Sequence, residues 1–234
     1  MGAPGAARRR LSLCLIVKDE EDFLPDCLAS VGDLADEVIV VDTGSADRTV
    51  ELAEAAGATV VHRPWTGDFA AARNASLDAA TGDWVLVLDA DERLAPGSAE
   101  HVRRLIEAEP EDAPPTLYLP LIENRDKHGQ PLGAGHMPRL WRRRPTLRFT
   151  GRVHEQVGAG VPGLRQRYED AFRILHYGYD PDLQAQRGKR ARNMGLLEAE
   201  LADRPGDAAA TFYLAKEHYA GGDDAAALAG FRRA

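Results

Sequence analysis

This sequence predicts an α/β fold built on a mostly parallel, Rossmann-like sheet, and three observations predict it. Apolar runs such as Leu11–Val17 and Trp84–Leu88 show no polar alternation, as strands buried on both faces do. Segments with one apolar face at helical spacing separate them, which is the alternation of a parallel sheet with right-handed crossovers. Two of the runs stop in aspartates, Asp42 in one case and Asp89 with Asp91 in the other. Open α/β sheets gather their ligands at such strand ends.

Residues 1–10, rich in Gly, Ala and Arg, are expected to form a disordered leader. After Leu11–Val17, the residues Phe23, Leu24, Cys27, Leu28 and Val31 mark one face of a helix spanning Glu20 to Val31. Glu37–Val41 is the second strand and ends at Asp42. Thr43-Gly44-Ser45 then turns the chain into a helix from Asp47 to Ala56 that stops at Gly57. A short strand, Ala58–His62, precedes a helix opened by Asp68 and carried by Phe69, Ala72, Leu77 and Ala80 to near Gly82. The Trp84–Leu88 strand delivers Asp89 and Asp91. Beyond Ala95-Pro96-Gly97 lie a helix, Ser98–Ala108, and strands at Leu117–Ile122, Pro138–Trp141 and Leu147–Thr150. The polar stretch Glu123–His136 reads as a loop, and Ile174–Tyr179 is a last β-like piece.

Helical spacing takes over from Leu183, with Met194, Leu197 and Leu201 on one face. A boundary near Pro181 therefore separates a main domain, residues 11–180, from a helical extension, residues 181–234. In the extension, Leu214, Ala215, Tyr219, Gly222, Ala227, Leu228 and Phe231 fall at the small and aromatic positions of a tetratricopeptide helix pair. A plain helical hairpin fits the same residues.

With 234 residues, 44% hydrophobic and 28% charged, the composition is that of an ordinary globular protein. A net charge of −8 argues against nucleic-acid binding, which calls for a basic footprint. Cys14 and Cys27 lack metal spacing and read as free, buried thiols of a reducing compartment. Arg8-Arg9-Arg10 precedes an apolar run too short, and without the cleavage pattern, for a signal peptide. No run approaches the ~18 apolar residues of a membrane-spanning helix, so a cytoplasmic location is expected. Hard carboxylate oxygens at a strand end suit Mg²⁺ or Mn²⁺, so Asp89 and Asp91 are read as handling a metal and a phosphorylated ligand. An acidic turn that merely solubilises a strand end is the alternative.

The combination of VDTGSADRT, WTGDFAAARN, GDWVLVLDADE, GRVHEQV and HYGY resembles family 2 glycosyltransferases of the GT-A fold. The likeness covers about residues 11–180. It is nearest to a bacterial group with tetratricopeptide helices that includes peptide S-glycosyltransferases. The resemblance implies a nucleoside-diphosphate sugar donor, with uridine diphosphate (UDP) as carrier, and an inverting, metal-dependent transfer. It implies that Val17 lines the base pocket and that Asp42 accepts a hydrogen bond from base or ribose. Arg73 would approach the nucleotide with Asp68 as a polar neighbour. Asp89 would face the ribose or, through water, the ion; Asp91 would bind the ion, with His176 as a further ligand. Glu155 would be the base that takes the acceptor's proton. Arg139 and Arg142–Arg144 are candidates to reach the diphosphate, although a charge run is more often a solvated face.

The implied acceptor is a peptide Cys or Ser/Thr, with a polysaccharide or lipid-linked acceptor as the alternative. Leu214, Tyr219, Leu228 and Phe231 are too apolar for a free linker. They are expected to bury against the main domain, a second copy in a homo-oligomer, or an acceptor peptide. Other readings fit less well. A haloacid-dehalogenase-type phosphatase carries its Asp-x-Asp on the first strand, and a sugar nucleotidyltransferase opens on a glycine-rich loop that residues 11–25 lack. A non-catalytic peptide-binding module remains the alternative from outside the enzymes.

Overall fold

The computed structural model describes residues 8–126, 128–178 and 188–234. Strands β1 (Leu11–Val17), β2 (Glu37–Asp42), β3 (Thr59–His62) and β4 (Trp84–Val87) form a parallel half-sheet in the spatial order β3-β2-β1-β4. Successive β1 residues point to opposite faces and both faces are covered. Leu11, Leu13, Leu15 and Val17 join one apolar layer with Leu24, Cys27, Val102 and Ile106, while Cys14 joins the other with Ala70, Leu77, Val85 and Val87.

Helices α1 (Leu24–Val31), α2 (Thr49–Ala55), α3 (Phe69–Ala79) and α4 (Ser98–Ala108) supply those layers. The first helix begins four residues later than the sequence predicts. Pro25 sits in its first turn, where its missing N–H costs nothing, and residues 21–23 form a turn before it, closed by the Leu24 N–H on the Glu20 carbonyl at 2.9 Å. Asp47 precedes α2 rather than opening it, and its carboxylate accepts the Thr49 N–H at 2.9 Å.

The sheet continues through β5 (Glu92–Leu94), β6 (Thr116–Arg125), β7 (Pro131–His136), β8 (Leu140–Arg142) and β11 (Arg165–His176). Its order beyond β4 is β8-β6-β11-β5, with β7 also paired to β6. Here β8 runs antiparallel to β4 and β6, whereas β6 and β11 are parallel. Strands β9 (Phe149–Thr150) and β10 (Gln156–Val157) pair separately as a short ribbon. The expected loop Glu123–His136 is instead the end of β6 and the hairpin strand β7. The sequence hides β7 because Pro131–Gly135 is exposed throughout, so no buried face imposes alternation. Strand β11 starts nine residues before the expected Ile174, since its charged first half is held by backbone pairing to β6 rather than by burial.

Helices α5 (Lys189–Asp203), α6 (Ala208–Ala220) and α7 (Asp224–Arg233) form the extension. Asp207 and Asp223 cap α6 and α7 by accepting the N–H of Ala210 and Ala226. Gly230 lets these helices close on each other, since a Cβ there would stand 2.7 Å from the Ala215 Cβ. Tyr219, Leu228 and Phe231 are exposed at 67%, 52% and 40%, so within this chain they do not bury against the main domain. The expected boundary at Pro181 and the residue Tyr179 lie outside the described residues, as do residues 1–7 of the expected leader. Arg8 and Arg9 contact the domain, Arg8 through Asp36 at 2.7 Å and Arg9 through the carbonyls of Ile106 and Glu109. Cys14 and Cys27 are free and buried, and burial pushes the Cys14 thiol up to about 12.

Candidate active site

Strand β4 leaves the ladder after Val87, and the next residues carry the site. The Asp89 carboxylate lies between two buried arginines: Arg73 of α3 donates to Oδ1 at 2.7 Å and Arg139 to Oδ2 at 3.1 Å. Arg139 also holds Glu92 through two bonds of 3.0 and 2.7 Å, and Glu92 in turn accepts the Asp89 N–H at 3.0 Å. Burial opposes the charge on Asp89, but the guanidiniums of Arg73 and Arg139 hold its carboxyl well below the usual carboxylate range. Arg139, weighed in sequence between a diphosphate contact and a solvated charge, is committed to two carboxylates. Arg142 pairs with Trp84 at the opposite end of β4 and bonds Glu111, while Arg143 and Arg144 donate to the carbonyls of Gly82 and Ala113. That cluster lies at the far edge, as β8 carries it away from the strand end holding Asp89.

Asp91 is brought to His176 by strand register. Antiparallel pairing sets His176 opposite Glu92, and the Tyr177 N–H donates to the Asp91 carbonyl at 2.9 Å. His176 Nε2 stands 3.5 Å from Asp91 Oδ1, and its Nδ1 is 2.8 Å from Asn124 Oδ1 on the parallel neighbour β6. An amide oxygen at that place calls for a proton on Nδ1, so the neutral ring keeps its lone pair on Nε2, the atom facing Asp91, and the protonated ring donates Nε2–H to that carboxylate. Burial lowers the His176 pKa, but the bond and charge of Asp91, with Glu92 and Asp89, raise it above its ordinary value.

Gly178 completes the cradle: a Cβ there would fall 1.7 Å from Asp91 Oδ2. Among the described residues, no group of three or more His, Cys, Asp and Glu side chains could hold a metal unaided. A carboxylate and an imidazole side by side nevertheless fit Mg²⁺ or Mn²⁺, which take one or two protein ligands and fill the rest with substrate phosphates and water.

Asp42 and Val17 form a second group at the ends of β2 and β1, where they are register partners. Asp42 accepts the N–H of Ser45 at 3.0 Å and of Gly44 at 3.3 Å, with His62 Nδ1 at 3.6 Å. Burial opposes its charge, and the bonds from Ser45, Gly44 and His62 outweigh it, so the carboxyl sits below its ordinary value. Val17 has its side chain buried in the apolar layer, and its carbonyl accepts both the N–H and the hydroxyl of Thr43. Asp68 is the N-cap of α3, accepting the Ala71 N–H at 2.8 Å. Arg73, in the same helix, takes Asp89 and Glu155 as its partners instead.

Glu155 lies in the loop between β9 and β10 and meets Arg73 Nε at 2.5 Å. One guanidinium therefore joins the strand-end carboxylate to a carboxylate 66 positions further along the chain. Arg73 Nη1 is buried with no protein acceptor, a donor that an incoming ligand oxygen would satisfy. Sequence reasoning missed Glu92, Asn124 and Gly178 as members of this site. Glu92 adjoins the aspartate pair and was within reach of the pattern; Asn124 fell in a supposed loop.

Residues 12–172 match the family model described as Glycosyl transferase family 2. A TPR repeat-containing protein of Synechococcus elongatus is 44% identical over 212 residues, covering 87% of this chain and 51% of that protein. The SPbeta prophage-derived glycosyltransferase SunS of Bacillus subtilis is 28% identical over 212 residues, covering 87% of this chain and 48% of that one. The chain spans about half the length of these curated relatives. Among solved structures, S. aureus TarS 1-349 superposes with a TM-score of 0.52 at 15% identity, covering 90% of this chain and 72% of that chain, a likeness of fold.

Proposed function

The chain belongs to glycosyl transferase family 2, and from that premise we propose that it moves a sugar from a UDP-sugar donor to an acceptor nucleophile with inversion at the anomeric carbon. The observation that carries this reading is the meeting of Asp91 and His176, 3.5 Å apart beside Gly178 at the end of β4. In this reading Asp91 and His176 hold a divalent cation together with the donor's diphosphate. When bound, that ion neutralises charge on the departing nucleoside diphosphate. Asp42 and Val17 border the base and ribose, and Asp89 faces the ribose. Arg73 offers Nη1 to a donor oxygen, with Asp68 marking the start of its helix.

Glu155 acts on the acceptor. Arg73 orients its Oε1, which leaves Oε2 to take the proton from the acceptor O–H or S–H. The freed electron pair forms the bond to the anomeric carbon as the bond to the phosphate oxygen breaks. The acceptor class proposed is a peptide side chain, in keeping with the tetratricopeptide-like extension. A polysaccharide or lipid-linked acceptor is the competing class. No helix among the described residues is long and apolar enough to cross a membrane. The two buried free thiols agree with a reducing cytoplasm.

Glu155→Gln keeps shape and hydrogen bonding but removes the proton acceptor. Transfer to Ser peptides should fall by about 10²–10⁴-fold, the usual range for a lost general base. Transfer to matched Cys peptides should fall less, because a thiol of pKa ~8.5 is already a few per cent ionised near neutrality. Normal transfer to a hydroxyl would remove Glu155 from this role. Activity confined to a glycan or lipid-linked acceptor would replace the peptide class and leave the sugar-transfer reading intact.

A further inference from the structure

The loop that carries Glu155 touches the main domain on one side and the helical extension on the other. Toward the domain, the Phe69 N–H of α3 donates to the Arg152 carbonyl at 2.8 Å, and Asn74 makes two bonds of 2.9 Å with the backbone of Phe149. Toward the extension, the Arg152 N–H donates to Glu200 Oε2 of α5 at 3.0 Å, and the Arg152 guanidinium pairs with Asp203. Glu200 is only 6% exposed, an unusual place for a carboxylate unless its partners fix it.

The residue just before Glu155 is the most constrained. His154 has φ of +54°, a left-handed conformation that residues other than glycine seldom adopt. Its ring stacks on Tyr213 of α6, with centroids 4.1 Å apart and planes 18° from parallel. Backbone held in a sparsely populated region persists only when its surroundings over-determine it. The side chains that meet His154 come from the extension, Tyr213 by stacking and Glu217 with a carboxylate oxygen 4.0 Å from Nε2, while Glu200 holds the Arg152 N–H two residues earlier.

We infer that Tyr213 and Glu200 are positioning residues for the reaction, through which the helical extension sets the loop that presents Glu155 to the acceptor. This rests on the reading of Glu155 as the base. Arg73 alone cannot fix the carboxylate, because the loop backbone decides which way Glu155 leaves the chain. The extension is then part of the catalytic unit, in addition to any contact it makes with an acceptor.

Three variants test this: Tyr213→Ala, Tyr213→Phe and Glu200→Gln, with Glu155→Gln as the reference. Hydrogen exchange of the amides in residues 150–157 reads the loop directly and needs no acceptor. Transfer from the UDP-hexose that the wild type uses to a Ser peptide reads the chemistry. In Tyr213→Ala, loop exchange should rise at least tenfold and kcat should fall about 10²-fold, the scale expected of an ångström-sized misplacement. Donor KM should change little. Tyr213→Phe, which keeps the stacked ring, should restore both readouts, and Glu200→Gln should fall between.

Unchanged loop exchange in Tyr213→Ala would overturn the inference. So would equal losses in the Ala and Phe variants, or faster exchange with wild-type kcat while Glu155→Gln is impaired. If Glu155→Gln turns over normally, it is the assignment of the base that fails, and this control separates the two.

Discussion

In the β3-β2-β1-β4 half of the sheet, Asp42 and Asp89 stand where a strand has just run out, and each position can be read from its own strand. In the β8-β6-β11-β5 half, Asn124 and His176 meet only because β6 and β11 run side by side in register. The first half is specified by local pattern, the second by pairing between segments far apart in sequence. The two meet at Asp89, which is bonded to Arg73 from the first half and Arg139 from the second. The comparison suggests that removing a link between the halves should cost more than changing either rim.

The largest effect should follow from Arg139→Met. Glu92, 1% exposed, would lose both guanidinium bonds and remain as a buried carboxylate without its partner. Breaking such a pair costs about 3–5 kcal/mol, measurable by denaturant unfolding. The exposed Arg48–Glu51 pair offers a control, since surface pairs in water contribute little. Equal losses for the two would erase the distinction drawn here.

Gly178→Ala should act on the site and leave the fold largely intact. Its Cβ cannot coexist with Asp91 in the observed position, so the carboxylate must turn. Mn²⁺ affinity should drop roughly 10–100-fold, the range seen when the surroundings of a metal ligand are disturbed. An unchanged titration would show that Asp91 has freedom the cradle denies.

The fold legible from the sequence was the half written locally. The buried strands, the start of α3 at Asp68 and all of α4 follow from apolar spacing and caps. Strand β7 and the first part of β11 were illegible because they are exposed, and their order comes from backbone pairing to β6. The site divides in the same way. Asp42, Asp89 and Asp91 can be read from strand ends, whereas Glu155 and His176 came from family resemblance alone. Glu200 and Tyr213 act from helices whose own pattern mentions nothing of the loop they hold.

A smaller effect concerns pH. Asp91 and its acidic neighbours raise the His176 pKa above its ordinary 6.5. In the ion-free protein, protonated His176 adds stability that is full below the unfolded-state pKa and is lost as pH rises through the raised folded value. Cation binding needs the neutral ring, so Mn²⁺ affinity should increase with pH through that same value. A flat profile between about pH 6 and pH 8, where histidine titrates, would contradict a ligand role for His176. The smallest effect is expected at the exposed rim of the extension. Tyr219→Ser should shift unfolding free energy by no more than about 0.5 kcal/mol, unless a second copy or a peptide covers it.

In the proposed mechanism Asp91 holds a cation that the donor's diphosphate shares. Calorimetric titration of UDP into the wild type and Asp91→Ala, with and without Mn²⁺, shows whether it does. The wild type should bind UDP at least tenfold more tightly when Mn²⁺ is present. Asp91→Ala, folded by circular dichroism, should lose that dependence and bind weakly in both conditions. Full Mn²⁺-dependent affinity in a folded Asp91→Ala protein would contradict the account.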